Sequence, residues 1–251
     1  MLVSNAGQGC TGATVKAREV VQQYIEERIL SGELIVGSLL PAERNLATQL
    51  GVSRSAVREA LRTLAAQGLI TSSVGAGPEG GTRITGQHGV ALGKLLKMHV
   101  ALAEFPIDDV VEVRVTLERS SVGLLSRTAK PEDLTTLADL LVSMEAEHME
   151  LDEFNPLDTA FHIAIAQLAG NQLMAVLTSA VRQSLAAPIK LASQQMVDWQ
   201  AFRRDLLRQH RGVFEAIAVG EGERAADLME EHIRTAYAIL PIADTRPTAR
   251  T

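Results

Sequence analysis

One cysteine, Cys10, in 251 residues excludes a disulfide framework and any thiolate-rich zinc module. No stretch approaches the roughly 18 consecutive apolar residues that a membrane-crossing helix needs. The opening MLVSNAGQGCTGATVK lacks the charged-then-apolar order of a secretory leader. These absences lead to the expectation of a soluble, cytoplasmic protein. No internal repeat, coiled-coil heptad or low-complexity tract is present either, which leaves an ordinary globular chain. Its 46% hydrophobic and 22% charged residues are too apolar for a disordered protein and suffice for one large or two modest domains.

The net charge of −6 is unevenly placed. Residues 1–86 hold 8 Lys/Arg and 7 Asp/Glu, whereas residues 87–251 hold 16 and 23. A near-neutral first third and an acidic remainder are consistent with two parts that face different partners.

Residues 1–14 are small and polar and are expected to form a flexible tail. From about Val15 to Ser31 the apolar residues Val21, Ile25, Ile29 and Leu30 recur at helical spacing until Gly32. Pro41 is a good first residue for a second helix, PAERNLATQL. After the tight turn Gly51-Val52-Ser53, Ser53 can cap a third helix, SRSAVREALRTLAAQ, which Gly68 ends. GLITSS and TRIT then flank the glycine-rich SVGAGPEGG as a small hairpin with a long tip. Three helices followed by a hairpin describe a winged helix-turn-helix over residues 15–86.

The chemistry suits nucleic acid. Val57, Leu61 and Leu64 share one face of the third helix, which leaves Arg54, Arg58 and Arg62 on another at i, i+4, i+8. A guanidinium can fork onto a phosphate or onto the O6/N7 edge of guanine. Ser53 and Ser55 offer hydroxyl and backbone donors to phosphates at the helix N-terminus. Arg44 lies near the start of the preceding helix, where that element crosses the DNA backbone in such folds. The competing reading is a solvated arginine face paired with Glu59 and its neighbours.

The run Leu40-Pro41-Ala42-Glu43-Arg44, Leu46-Ala47, Leu50-Gly51-Val52-Ser53-Arg54, Val57-Arg58-Glu59-Ala60-Leu61, Leu64 and Gly68-Leu69-Ile70 resembles the DNA-binding domain of the GntR family of bacterial transcription regulators. That resemblance implies that Arg44, Arg54 and Arg58 contact DNA with support from Ser53 and Ser55, and that Gly81 is the wing glycine before the last strand. The wing here is longer than the usual form and carries Glu79.

Beyond about residue 90 strand signals vanish. Helical periodicity continues to about Leu240, with breaks expected near Pro106, Pro131, Pro156, Gly170-Asn171, Pro188 and Gly220-Glu221-Gly222. The reading is a linker or connecting helix over 87–99, an all-α bundle of six or seven helices over 100–240, and a tail over 241–251. Three of the six histidines fall on inward stripes: Asp158-His162-Ile165-Ala169, Leu206-His210-Val213-Ile217 and Leu228-His232-Ala236. His210 and His232 are equidistant from Glu221. If Gly220–Gly222 joins antiparallel helices, both imidazoles stand at one height, about 16 Å from the bend. Three imidazoles and the Asp158 carboxylate converging on one point would suit Zn, Ni or Mn; the alternative is three core histidines bonded to carbonyls. His88, His99 and His148 show no comparable pattern.

Arg114 also sits on an inward stripe, Val110-Arg114-Leu117-Ser121. A buried arginine needs an anion, and two are open: Glu118 at i+4, or the carboxylate of a ligand. Glu112-Val113-Arg114, Leu117-Glu118, Asp158, Phe161-His162, Asn171, Leu177, His210 and His232 together resemble the FCD effector domain of the FadR subfamily. By that resemblance Asp158, His162, His210 and His232 bind a divalent metal, Arg114 holds a small organic acid and Asn171 lines the pocket. The function so implied is a ligand-responsive transcription regulator, usually a repressor, with a homodimer reading a pseudo-palindromic DNA operator. Two rivals remain: a DNA-binding protein whose bundle only dimerises, and a metalloenzyme. The second is disfavoured because the chain has no H-E-x-x-H motif and no evident general base beside the proposed metal.

Overall fold

Helical periodicity governs most of what the computed structural model describes, namely residues 8–73, 81–86, 88–102, 105–147 and 149–240. Helices α1 (Gln8–Leu30), α2 (Glu43–Leu50) and α3 (Arg54–Ala66) precede strands β1 (Ile70–Ser73) and β2 (Gly81–Ile84). Seven further helices follow: α4 (His88–Ala101), α5 (Ile107–Thr128), α6 (Pro131–Met144), α7 (Leu151–Leu168), α8 (Gln172–Ser193), α9 (Trp199–Ala218) and α10 (Gly222–Ile239). The chain divides into two compact units, Met1–Ala91 and Leu92–Thr251, and the boundary falls inside α4. Among the described residues no helix is long and apolar enough to cross a membrane.

In the first unit, the apolar stripe predicted for α1 places Val21 and Ile25 in a core with Leu46, Val57, Leu61, Leu64, Ile70 and Ile84. Gly51 ends α2 at φ 64°, a left-handed conformation that glycine adopts without a Cβ penalty. Ser53 caps α3 by accepting the Ala56 N–H at 3.2 Å. The strands pair antiparallel from Ile70–Ile84 to Ser73–Gly81, and Leu39 adds a bridge to Arg83. Gly81 has φ 118°, a conformation that L side chains rarely adopt, and a Cβ there would also press on the mobile end of Leu39, 2.9 Å from its Cδ1. The first helix starts at Gln8, inside the stretch expected to be tail, and α2 starts at Glu43, two residues after Pro41. The hairpin tip, with Glu79, and the C-terminal tail lie outside the described residues, as do residues 1–7.

In the second unit α5 packs against α7, α8, α9 and α10. The core holds Leu125, Met144, Phe154, Phe161, Ile217 and Met229. Pro156 and Pro188 do not break their helices as expected; both lie inside, in α7 and α8. An interior proline costs about 3 kcal/mol, and burying each of Phe154 and Phe161 on α7 returns about 1.5–3 kcal/mol. Tertiary packing therefore overrides the local signal. Two real breaks, near 145–150 and 194–198, carry no such proline. At the first, buried Arg203 of α9 donates to the Met144 and Ala146 carbonyls, both at 2.7 Å, and so satisfies the end of α6 from a distant helix.

Candidate functional site

Antiparallel α9 and α10 meet at Gly220, which turns at φ 78°. Gly222 approaches α5 so closely that a Cβ there would lie 3.3 Å from the Gly123 carbonyl oxygen. This turn sets the heights of His210 and His232, whose ring centroids are 4.4 Å apart. From α7, His162 stacks on His232 with centroids at 5.1 Å, and Asp158 sits one turn earlier. One ligand atom from each of Asp158, His162, His210 and His232 lies within 4.8 Å of all the others.

Within this cluster the nitrogen of one imidazole faces another. His162 Nε2 and His210 Nε2 are 3.2 Å apart, and Asp158 Oδ1 is 3.2 Å from His210 Nε2 and 3.7 Å from His162 Nε2. Donors held about 2.1 Å from one ion stand roughly 3.0–3.4 Å apart at octahedral or tetrahedral angles; the two 3.2 Å separations fall in that range, and the 3.7 Å one lies a few tenths of an ångström beyond it. The hydrogen bonds behind the rings fit as well. His162 Nδ1–H donates to Glu118 Oε2, and His232 Nδ1–H donates to Gln209 Oε1 at 2.9 Å, which leaves each Nε2 as a lone-pair donor. Carboxylate or amide partners behind metal-ligating histidines commonly fix the tautomer in this way. His210 Nδ1 is buried with no partner.

The charges around the cluster balance. Arg114 Nε donates to Glu118 Oε1 at 2.7 Å, Arg182 Nη2 donates to Asp158 Oδ2, and Arg182 Nη1 is 3.9 Å from Glu118 Oε1. Burial works against ionising Glu118, but Arg114 and His162 overcome it and hold the carboxyl far below the usual range. Asp158 behaves likewise, with Arg182 opposing the effect of burial. Burial pushes His210 down despite Asp158 beside it, and pushes His232 down further with the help of His210. Both imidazoles are therefore held neutral, the form that binds metal.

A pH prediction follows from these directions. A histidine whose folded pKa lies below the unfolded value of about 6.5 stabilises the fold above that pH and loses the contribution as pH falls. The depressed carboxylates act in the same direction at lower pH. The metal-free protein should therefore hold a steady melting temperature from pH 8 to 7, decline below about 6.5, and fall more steeply below about 4.5. Scanning calorimetry in chelator checks this; a melting temperature that rises on acidification through pH 6 contradicts it.

Of the two anions open to Arg114, Glu118 is the one the structure places against it. Its Nε edge is held by Glu118 and its Nη1 lies 3.4 Å from the Tyr237 hydroxyl. The same guanidinium lines a cavity of about 30 Å³ with Asp158, His232, Asn155 and Tyr237. Asn171 is placed otherwise than expected. It is exposed, caps α8 by accepting the Met174 N–H at 3.1 Å, and lines neither the 30 Å³ cavity nor the cleft of about 300 Å³ that Asp158 also borders among the described residues. The Gly170-Asn171 pair is thus explained by helix capping. Arg182 is the residue that sequence reasoning missed. Its signal was available: it is the one charged residue between Gln172 and Ile189.

On the first unit, Arg44, Ser53, Arg54, Ser55 and Arg58 are all exposed around the start of α3. Ser53 Oγ and Ser55 Oγ are 2.9 Å apart. Arg62 is taken by Glu59 at 2.7 Å, and Arg58 Nε lies 3.8 Å from Glu43. Arg44 and Arg54 form no ion pair among the described residues, so the solvated-pair reading holds for Arg62 and not for them.

Comparison with known proteins agrees with both units. Residues 17–79 match the bacterial regulatory proteins of the gntR family, and residues 109–235 match the FCD domain. A protein named for regulating the L-lactate dehydrogenase operon of Escherichia coli (strain K12) is 30% identical over 85% of this chain and 80% of its own. The chain belongs to the GntR family. The Glc operon transcriptional activator of the same organism is 28% identical, with 86% of each chain covered. The solved structure of a Streptococcus agalactiae GntR protein superposes with a TM-score of 0.62 at 28% identity, covering 88% of this chain and 99% of that one. The protein is thus a DNA-binding transcription regulator with an FCD effector domain, and the metalloenzyme alternative falls with that assignment.

Proposed function

We propose that this regulator is a homodimeric operator-binding repressor whose bundle holds a divalent metal at Asp158, His162, His210 and His232 and binds a small carboxylate beside it. The observation that carries the reading is that one ligand atom from each of the three histidines and Asp158 lies within 4.8 Å of the others, with Glu118 and Gln209 behind two of the rings. Zn, Ni or Mn suits three imidazoles and one carboxylate. When bound, the ion supplies a Lewis-acidic anchor for an anion.

The protein's own residues favour an anionic guest. Arg114 and Arg182 are already balanced by Glu118 and Asp158, so a divalent ion leaves the buried cluster at +2. Arg182 Nη1 and Asn155 Nδ2 are buried donors without a hydrogen-bond partner. An acceptor-rich carboxylate offsets that charge and satisfies such donors. Arg114 would meet it with the edge of its guanidinium that lines the cavity. The relative named for the L-lactate dehydrogenase operon, a system built around a small carboxylate, supports the same class.

Arg44, Arg54 and Arg58, with Ser53 and Ser55, are assigned to DNA contact, and Gly81 to shaping the wing. A pseudo-palindromic operator calls for two copies of the chain. Effector control requires that the carboxylate prefer one arrangement of the dimer, and a coupling of about 1–3 kcal/mol changes operator affinity roughly 5–150-fold.

Fluorescence anisotropy with the chain's own promoter region tests the reading. Arg58→Ala should weaken binding by about 1–3 kcal/mol at fixed salt. Binding equal to wild type would remove α3 from the interface. Deleting the gene should raise expression from that promoter, whereas a fall would make the protein an activator, as the Glc operon relative is named.

A further inference from the structure

Between α7 and α8 lies a cleft of about 300 Å³ lined by Asp152, Asn155, Pro156, Thr159, Ala186 and Lys190 together with Asp158 and Ile189. It shares Asn155, Asp158 and Ile189 with the 30 Å³ cavity beside the cluster. The cleft therefore borders, across one wall, the small cavity beside the candidate metal centre. Three features of this wall bear on what it could admit.

Lys190 on α8 reaches across to Asp152 on α7 at 2.9 Å, and both side chains remain about half exposed or more, at 48% and 65%. A pair so exposed contributes little to stability and exchanges partners readily. Each bordering helix also contains an interior proline, Pro156 in α7 and Pro188 in α8, and among the described helices only these two do. Each proline removes one rung of its helix's hydrogen-bond ladder, and Pro156 itself lines the cleft. Finally, Asn155 Nδ2 is buried without a hydrogen-bond partner at the junction of the two spaces. An amide donor left unpaired there is costly unless a guest completes it.

We propose that this cleft is where the effector enters and is captured: Lys190 exchanges Asp152 for the incoming carboxylate, and Asn155 donates its amide N–H to a second oxygen of the guest. The class selected is a short carboxylate that carries another oxygen acceptor near the first. A guest lacking that oxygen leaves Asn155 unpaired and is discriminated against. The inference rests on the carboxylate reading given above and adds the route and the selecting residue.

The test uses the full-length, metal-loaded protein and isothermal titration with acetate, propionate, glycolate, lactate, pyruvate and malonate, with bound metal measured by elemental analysis in every variant. Asp152→Asn and Lys190→Ala break the same ion pair. A merely structural strap predicts that both variants change affinity in the same direction. Capture predicts opposite directions: Asp152→Asn frees Lys190 and tightens binding about two- to fivefold, whereas Lys190→Ala weakens it by a similar factor. Both effects should shrink at high salt. Asn155→Leu should erase the preference for glycolate over acetate while metal content stays at the wild-type level. Equal shifts in the two strap variants, or an Asn155→Leu protein that keeps its preference, would overturn the inference. Wild-type protein that binds none of the six acids would instead overturn the carboxylate reading itself.

Discussion

Replacing Glu118 by alanine should lower the unfolding free energy by about 3–5 kcal/mol, far more than an average buried side chain of its size. The reason is not that the Arg114–Glu118 ion pair is intrinsically strong. A buried pair roughly breaks even against the cost of dehydrating both charges. Glu118 is different because three groups depend on it at once. It accepts from Arg114 Nε at 2.7 Å, accepts from His162 Nδ1, and faces Arg182 Nη1 at 3.9 Å. Removing it leaves the Arg114 charge uncompensated on α5, leaves Arg182 with Asp158 as its one carboxylate partner among the described residues, and frees the His162 tautomer. Loss of such a partner behind a ligating histidine typically weakens metal affinity 10–100-fold. Glu118→Gln keeps an acceptor for His162 while discarding the charge, so it should fall between wild type and alanine in stability and retain more of the metal affinity. Urea unfolding in chelator, followed by metal titration of each variant, separates the two contributions. A Glu118→Ala protein within 1 kcal/mol of wild type would show that the arginines are hydrated or paired elsewhere.

The part of this arrangement that was legible in the sequence is the part set by local periodicity. The stripes containing His162, His210 and His232 face inward because each shares an apolar helical face, and the equal spacing of His210 and His232 from Glu221 put them at one height without further information. The same holds for Ser53 as a cap and Gly51 as a left-handed turn, where short-range backbone chemistry decides. Arg182 was not found that way. Its partner Asp158 lies on another helix, 24 positions earlier, and no local rule pairs them. Gln209 is likewise recognisable only once α10 brings His232 to it. Pro156 and Pro188 were misread in the opposite sense, because burial of the flanking turns outweighed a strong local break. The family resemblance implies a pocket role for Asn171, whereas what its local sequence, Gly170-Asn171 before a helix, explains is the cap it forms on α8.

His210→Ala should abolish the metal-dependent part of the stability and leave DNA binding in place. This position is a cleaner test than His162. Alanine at 162 would also strand Glu118, whereas His210 Nδ1 has no hydrogen-bond partner to lose. Wild-type protein with Zn at a thousand times its dissociation constant gains about 4 kcal/mol over the metal-free form, because the ion binds only the folded state. The variant retains one carboxylate and two imidazoles, and the gain should drop to near zero at the same Zn concentration. In chelator the two proteins should differ by the cost of the buried side chain alone, about 2–5 kcal/mol for a large-to-alanine change in a core. The diagnostic quantity is therefore the difference between chelator and metal measured within each protein, which cancels the packing cost. Elemental analysis should find about one ion per wild-type chain and almost none in the variant. If the variant retained full metal content and the full metal-induced rise in melting temperature, His210 would be a core histidine packed on Phe161, whose ring centroid is 5.0 Å away, and the ion would have to be held by other residues.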